Sequence, residues 1–587
     1  MVRGVTPIPP CPGRRAVRAS RSVRTVAALA TLALVVAACG SDDDPSDGGS
    51  PDPTDAPPAD TSTGSDAAGT GDAGGNGGEA VDGGDLTYAI DTTLSRLDPN
   101  TAAAAQDARM MRQIYDSLVA LDDGVPVPWL ATEWSVSDDG LEYTFTLRDD
   151  VVFHDGTALD AEAVCFNFDR IADPAAGSIF AIGAIGPFEN CDAPDATTVV
   201  ITLASPYAPF LANLSSPFLG IISPTGLEAA GSPENFSLNP VGSGPFAFGS
   251  YTTDDRLVLE RYDAYAWPPA NAEHEGPAHL DSITFQIIPD ATVRLGSLRN
   301  SDVQAIGNVP ETDAASLADD DDLGFYAQAQ SGAPYQLFFN TERPPWSDPA
   351  VRVAVRSGLD LDTITDALFF GVYERAWTPL APSTPGYDDS LEGSWDFDPD
   401  GAAAALDEAG WVEGDDGVRV KDGEPLSLIL LDSSVNREKR QDIAVFVRDQ
   451  LRGLGVDVEV DTVDTAALQE RIMSGDYDLA GLSLVNVDPN VMYTQYHSRF
   501  VPTPEALSFN FGRVADPALD ERLLAAQAEG DPDARAAAYA ELQAEVLEAA
   551  YSVPVYVPTY TVGTNGLEGL RFDAEGYPIL YDSWLAE

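Results

Sequence analysis

The chain has 587 residues, too many for one hydrophobic core, and its 44% apolar content is that of a folded protein. It carries 95 acidic against 32 basic residues, a formal net charge of -63, and Lys421 and Lys439 are its only lysines. Such a surface disfavours nucleic acid and bare anionic lipid, and fits either a saline habitat, where counterions screen self-repulsion, or GC-rich codon usage.

In chain order, arginines at 14, 15, 18, 21 and 24 precede an apolar run at 26–38 that is broken only by Thr31. The run is shorter than the roughly 20 residues needed to span a bilayer. With the small residues Ala37 and Ala38 before Cys39, it reads as a secretory signal peptide over 1–38. The cut site resembles the lipobox of bacterial lipoproteins, which implies a lipid-linked Cys39 and a body held at the outer face of the cell membrane. Residues 39–84 are rich in Gly, Ser, Asp, Pro, Thr and Ala and contain no aromatic residue. They cannot offset their ordering entropy, so a disordered acidic linker is expected.

Residues 86–90 predict a first strand, and 102–120 a helix, with Ala105, Met110, Ile114 and Leu118 at helical spacing. Residues 141–147 alternate as a strand after the Asp139-Gly140 turn. Asp160 is placed to cap a helix to about 170. Strands are expected at 198–203, 257–259 and 283–288, with a short broken helix at 209–219. Asp290 opens a helix to about 300. Helices follow at 349–357, 361–370 and 399–409, the last stopped by Gly410. From there helix and strand alternate: strand 426–431, helix 436–454, strand 456–460, helix 465–474, strand 477–479. That alternation reads as α/β. Helices 517–528 and 533–549 and a closing strand at 554–560 complete the chain.

Four cysteines occur. Cys11 leaves with the signal and Cys39 takes the lipid. Cys165 and Cys191 remain in a compartment that permits disulfides, where a bridge or two free thiols are both open. No metal site is expected, because His154, His274, His279 and His497 are scattered. There is no Ser/His/acid set in a nucleophile-elbow context, no HExxH and no CxxC, so no enzyme and no cofactor are expected.

Several stretches in order resemble the extracellular solute-binding proteins of bacterial ATP-driven importers, of the oligopeptide/dipeptide/nickel type. They include Leu97-Asp98-Pro99, Ile114-Tyr115-Asp116-Ser117-Leu118, Phe153-His154-Asp155-Gly156, Pro240-Val241-Gly242-Ser243-Gly244-Pro245, Ala409-Gly410-Trp411 and Gly475-Asp476-Tyr477-Asp478-Leu479. The resemblance implies a two-lobed periplasmic-binding-protein-like fold of type II, with an extra subdomain in lobe one and the ligand between the lobes. Lobe one would span 85–335 and be completed by 553–587. Lobe two would span 336–552, with crossings near 335–341 and 552–554. It also implies a monomeric receptor that captures a small solute, most readily a peptide, by hinge closure. Its partners would be membrane permease subunits with separate cytoplasmic ATPases. An oligosaccharide, a metal chelate, or a sensor or chaperone role are the alternatives.

In peptide-binding relatives an Asp after the "Y-D-hydrophobic" segment pairs with the ligand's ammonium. Val485 stands in that place here, and valine cannot balance a desolvated charge. Ser483, Asn486 and Asp488 are the polar candidates nearby. Tyr115, Asn340, Arg375 and Trp377 are candidates from the cleft-facing neighbourhoods of relatives, and Tyr493 and Tyr496 would join Tyr115 and Trp377 as stacking rings for a sugar.

Overall fold

The computed structural model describes residues 79–178 and 180–586. The stretch read as signal peptide, Cys39 and the expected linker up to residue 78 lie outside the described residues. The last linker residues are pinned to the body: Gly83 donates its N–H to the His279 carbonyl at 2.8 Å, and Asp82 pairs with His279 at 2.7 Å. Residues 82–84, read as the end of the linker, are thus bonded to the body.

Two sheets organise the rest. The first contains β1 (Asp85–Ile90), β2 (Phe246–Thr252), β3 (Arg256–Arg261), β4 (Ser282–Ile287), β5 (Ala305–Gly307) and β6 (Gly324–Ala329). The second contains β7 (Gly332–Phe339), β8 (Ser427–Ser433), β9 (Asp457–Val463), β10 (Leu479–Val485) and β11 (Ser552–Tyr556). The chain then re-enters the first sheet as β12 (Thr559–Thr564). The spatial orders are β6-β12-β5-β1-β4-β3-β2 and β9-β8-β10-β7-β11. β1 runs parallel to both β4 and β5, as β8 does to β9 and β10, so helices must cross between them and cover the faces. This is a two-lobed α/β architecture.

A third, four-stranded sheet (131–136, 142–147, 188–195 and 198–203) forms an extra subdomain beside the first sheet. Helix Ala161–Ala172 packs on it, and a Cys165–Cys191 disulfide ties that helix to strand Phe188–Asp195.

The chain changes sheets at 330–331 and at 557–558, several residues from the positions read in the sequence. The reason is pairing: Gly332 and Ala333 already face Val485 and Leu484, so β7 belongs wholly to the second sheet. The two crossings touch, with Gln330 N–H donating to the Pro558 carbonyl at 2.9 Å.

Part of the acidic excess is structural. Asp348, Asp398, Asp516 and Asp531 each precede a proline and accept a hydrogen bond from a first-turn N–H of the helix that follows. Proline at the first helical position loses nothing, since that N–H has no partner in the helix. Asp160 caps its helix in the same way, through the Ala163 N–H.

Two expected helices are shorter than their periodicity. The one read at 102–120 covers only Ala105–Ile114, because Tyr115 turns extended and Val119–Asp122 forms a strand. The one read at 436–454 is regular only over Arg440–Gly453, because Glu438 and Lys439 adopt left-handed backbone. Gly242 and Gly244 sit against the end of the first of these helices, and the Gly244 N–H donates to the Ile114 carbonyl at 2.9 Å. A methyl group on Gly242 would stand 2.2 Å from that oxygen, so close approach, not a tight bend, requires glycine there.

Candidate functional site

Helix Ala105–Ile114 points its C-terminal end at a short hairpin in which Arg571–Phe572 pairs with Pro578–Ile579. Gln113 clamps the two, donating to the Pro578 carbonyl at 2.7 Å and accepting from the Leu580 N–H at 3.1 Å. Between them lies a cavity of about 70 Å³, partly open to solvent. Lobe one supplies most of its wall, including Arg112, Trp129, Ser215 and Tyr265; the returning segment adds 571–575 and Tyr581; Val487 reaches it from lobe two. The space exceeds what a single water needs, so it can admit a small polar group of a solute that extends into the opening.

Arg112 donates to Asp573 at 2.8 Å and to the Ser215 carbonyl at 2.7 Å. Arg571 pairs with Asp582 at 2.9 Å. Glu575 is 2% exposed, and among the described residues its carboxyl accepts only from the Ser216 hydroxyl, at 3.0 and 3.2 Å. Burial, reinforced by Asp573, pushes its carboxyl up to about 8 against the opposing pull of Arg112 and Ser216. Behind the Tyr265 wall, burial pushes Asp116 up to about 7, although Ser243, Trp267 and Tyr265 all donate to it.

A second polar cluster sits at the strand ends of lobe two. Arg440 donates to Glu438 at 2.7 Å and to the Ser483 hydroxyl at 2.9 Å, while the Tyr556 hydroxyl donates to Glu438 at 2.5 Å. Burial opposes ionisation of Glu438, but Arg440 and the tyrosine outweigh it and hold the carboxyl below its usual range. Ser483 is therefore engaged. Neighbouring Asp432 is buried, with one oxygen unpartnered. The lobes also meet directly: Lys439 pairs with Glu311 at 3.0 Å, Ala208 N–H donates to the Gln527 carbonyl, and Asn486 N–H to the Ser331 carbonyl.

Most of the residues picked from the sequence have other work. Tyr115 is fully buried, and its hydroxyl donates to the Leu97 carbonyl at 2.7 Å, so it is a core residue. Asn340 is 1% exposed and holds the Gly475 and Tyr477 carbonyls. Arg375 pairs with Asp362 at 2.5 Å and lies flat on Trp377, 3.5 Å from the ring centre, beside Trp395; neither Arg375 nor Trp377 lines the cavity. Asp488 takes a two-point bond from Arg535. The Asn486 side chain accepts from the Asp488 N–H at 2.8 Å. Tyr496 is buried against Gln336 and Ser552, and the Tyr493 hydroxyl accepts from Arg499. Of the candidates for ligand contact, Asn486 reaches the crossing through its N–H on the Ser331 carbonyl, while Ser483 is held by Arg440 within lobe two. Sequence reading missed Arg112, Trp129, Tyr265, Asp573 and Glu575. The one local signal was the turn over 573–577, where Asp573 accepts from the Glu575 and Tyr577 N–H groups.

Comparisons with known proteins place this geometry. The profile of the bacterial extracellular solute-binding proteins, family 5 Middle, matches residues 125–501. The glutathione-binding protein GsiB of Salmonella paratyphi A is 27% identical over 486 residues, covering 81% of this chain and 89% of that protein. GsiB of Escherichia coli O157:H7 is 29% identical over 381 residues, 65% of this chain and 70% of that protein. The periplasmic binding protein DppA of Helicobacter pylori, in complex with peptide STSA, superposes with TM-score 0.72 at 25% identity, covering 86% of this chain and 99% of that one. NikA of Brucella suis, in complex with Fe(III)-EDTA, shares the fold, with TM-score 0.74 at 24% identity over 86% of this chain and all of that one. The family match spans well over half of the chain, runs through both lobes and the extra subdomain, and agrees with the motifs: this protein belongs to the bacterial extracellular solute-binding proteins, family 5.

Proposed function

We propose that the chain is the capture subunit of an ATP-driven importer for a peptide-like solute, held at the outer membrane face by a lipid on Cys39. Solute enters between the lobes, the lobes close about the adjacent crossings, and the closed form delivers it to a membrane permease whose ATPases are separate cytoplasmic chains. The observation that carries this reading is the cavity itself. It opens to solvent, is built from lobe one and its returning segment, and is met by Val487 of lobe two. GsiB and DppA, named for glutathione and crystallised with a peptide respectively, make a peptide-like cargo the natural choice. Family members bind solutes and do not transform them.

Native mass spectrometry of protein purified with its cargo tests the reading. Bound masses of short peptides or peptide conjugates support it, and a lone sugar or metal-chelate mass overturns the peptide assignment. Small-angle scattering should show compaction on saturation; an unchanged radius of gyration with verified occupancy would remove the hinge mechanism. For the anchor, cell-derived protein should begin at a diacylated Cys39, and a soluble product beginning elsewhere would remove it.

A further inference from the structure

The charges on the cavity wall pair off with one exception. Arg112 is bonded to Asp573, and Arg571 to Asp582. Glu575 faces no cation of its own and has one hydroxyl shared between its two oxygens. A carboxylate normally accepts several hydrogen bonds, and a buried one left short of them is costly. The rings of Trp129, Tyr265 and Tyr581 line the same space, Trp129 beneath Arg112 and Tyr581 stacked on His274. The place where family relatives put their ammonium-binding Asp holds Val485, which packs instead against the hydrophobic core of lobe one.

We propose that Glu575 is the anchor for an ammonium group on the solute, so that this receptor selects amine-bearing cargo through its returning segment and not through lobe two. This rests on the reading that the cavity holds the solute. An ammonium entering the cavity supplies the missing donors and the missing charge together, and the carboxyl gives up its proton to solvent as the pair forms. The same chemistry is offered by a peptide's amino terminus and by a polyamine.

The test is titration calorimetry of the purified full chain at pH 7, in two buffers of different ionisation enthalpy. The probes are alanine di- to pentapeptides, their N-acetylated forms, and spermidine. Free-amine peptides should bind at least about tenfold more tightly than acetylated ones and release close to one proton per site. Glu575→Gln, nearly isosteric and checked for its melting transition, should lose both the preference and the proton release. Asp432→Asn, at a buried acid of lobe two that does not line the cavity, should keep both. Binding of spermidine but of no peptide, with the same Glu575 dependence, assigns the amine to a polyamine. Equal affinity for acetylated and free peptides, a preference that survives Glu575→Gln, or one lost in Asp432→Asn overturns the proposal. Failure of every amine probe also overturns it, while the receptor reading is judged separately, by the co-purified mass.

Discussion

Asp488 and Arg535 make a two-point ion pair, Oδ1 to Nη2 at 2.6 Å and Oδ2 to Nη1 at 2.9 Å, with side chains only 6% and 14% exposed. The pair joins the strand end after β10 to helix Pro532–Glu548. Asp488 also accepts from the Asn490 N–H at 2.8 Å, so its oxygens are committed to the fold. Removing one partner strands a buried charge. Asp488→Ala or Arg535→Met should each cost about 3–5 kcal/mol in urea unfolding. The double variant should recover part of that loss. Asp488→Ala that unfolds like wild type but has lost its cargo would instead make Asp488 a ligand contact.

Glu575 gives a pH signature with a definite sign. Its folded carboxyl lies at about 8 against an ordinary value of 4.5. Below pH 4.5 folded and unfolded chains both hold the proton. Between 4.5 and about 8 the unfolded chain releases it first, so the ligand-free fold loses stability as pH rises, and the loss is complete above 8. Glu575→Gln escapes this loss. Its ligand-free melting should exceed wild type at pH 8.5, by a difference on the order of 2–5 kcal/mol, and converge with it near pH 4. A pH-independent offset between the two would show that the carboxyl is not raised.

Gly244→Ala tests the seam between the glycine motif and helix Ala105–Ile114. A methyl there would stand 2.6 Å from the Ile114 carbonyl carbon, and backbone cannot swing away as a flexible side chain can. The expected cost is about 2 kcal/mol or more in denaturant midpoint at unchanged slope. A neutral result would mean that the helix end shifts freely.

Lys439 and Glu311 bridge the lobes through partly exposed side chains. Lys439→Met should leave the melting of the fold nearly unchanged, weaken cargo affinity by about two- to fivefold, and remove part of its salt dependence. Scattering should show a larger radius of gyration at equal occupancy. Unchanged affinity at every salt concentration would show that the pair does not contribute to closure.

The Cys165–Cys191 bridge closes a loop of sequence separation 26. Its reduction, or the double serine variant, should lower stability by about 2–4 kcal/mol. Recovery of both cysteines as free thiols from native material would contradict the bridge.

Local features of the fold were legible because their causes are local. Asp160 acts through the N–H groups of the next few residues, and Gly410 ends its helix through its own positive φ. The failures have longer-range causes. Nothing near Tyr115 tells the chain to leave the helix; the core does, by taking the ring and offering the Leu97 carbonyl. The helix periodicity at 436–454 is genuine, but Glu438 and Lys439 are turned out of it by partners on Tyr556 and Glu311. The cavity was illegible for the same reason. Arg112 meets Asp573 across 461 residues, and Ser216 meets Glu575 across 359. Family likeness pointed to lobe two, where Asp488 turned out to be spoken for.

The position of β12 has a consequence for how the protein is made. It lies between β6 and β5 in the first sheet, yet it follows the whole of lobe two in the chain. Until it arrives, two strand edges of lobe one stand unpaired, open to wrong neighbours. The lobe that begins first is therefore completed last, and the segment carrying Glu575 arrives later still. A ribosome-bound or half-exported chain can assemble the second sheet, but it has no cavity. Binding competence should appear in one late step, and a chaperone that guards early intermediates should protect the edges of β5 and β6.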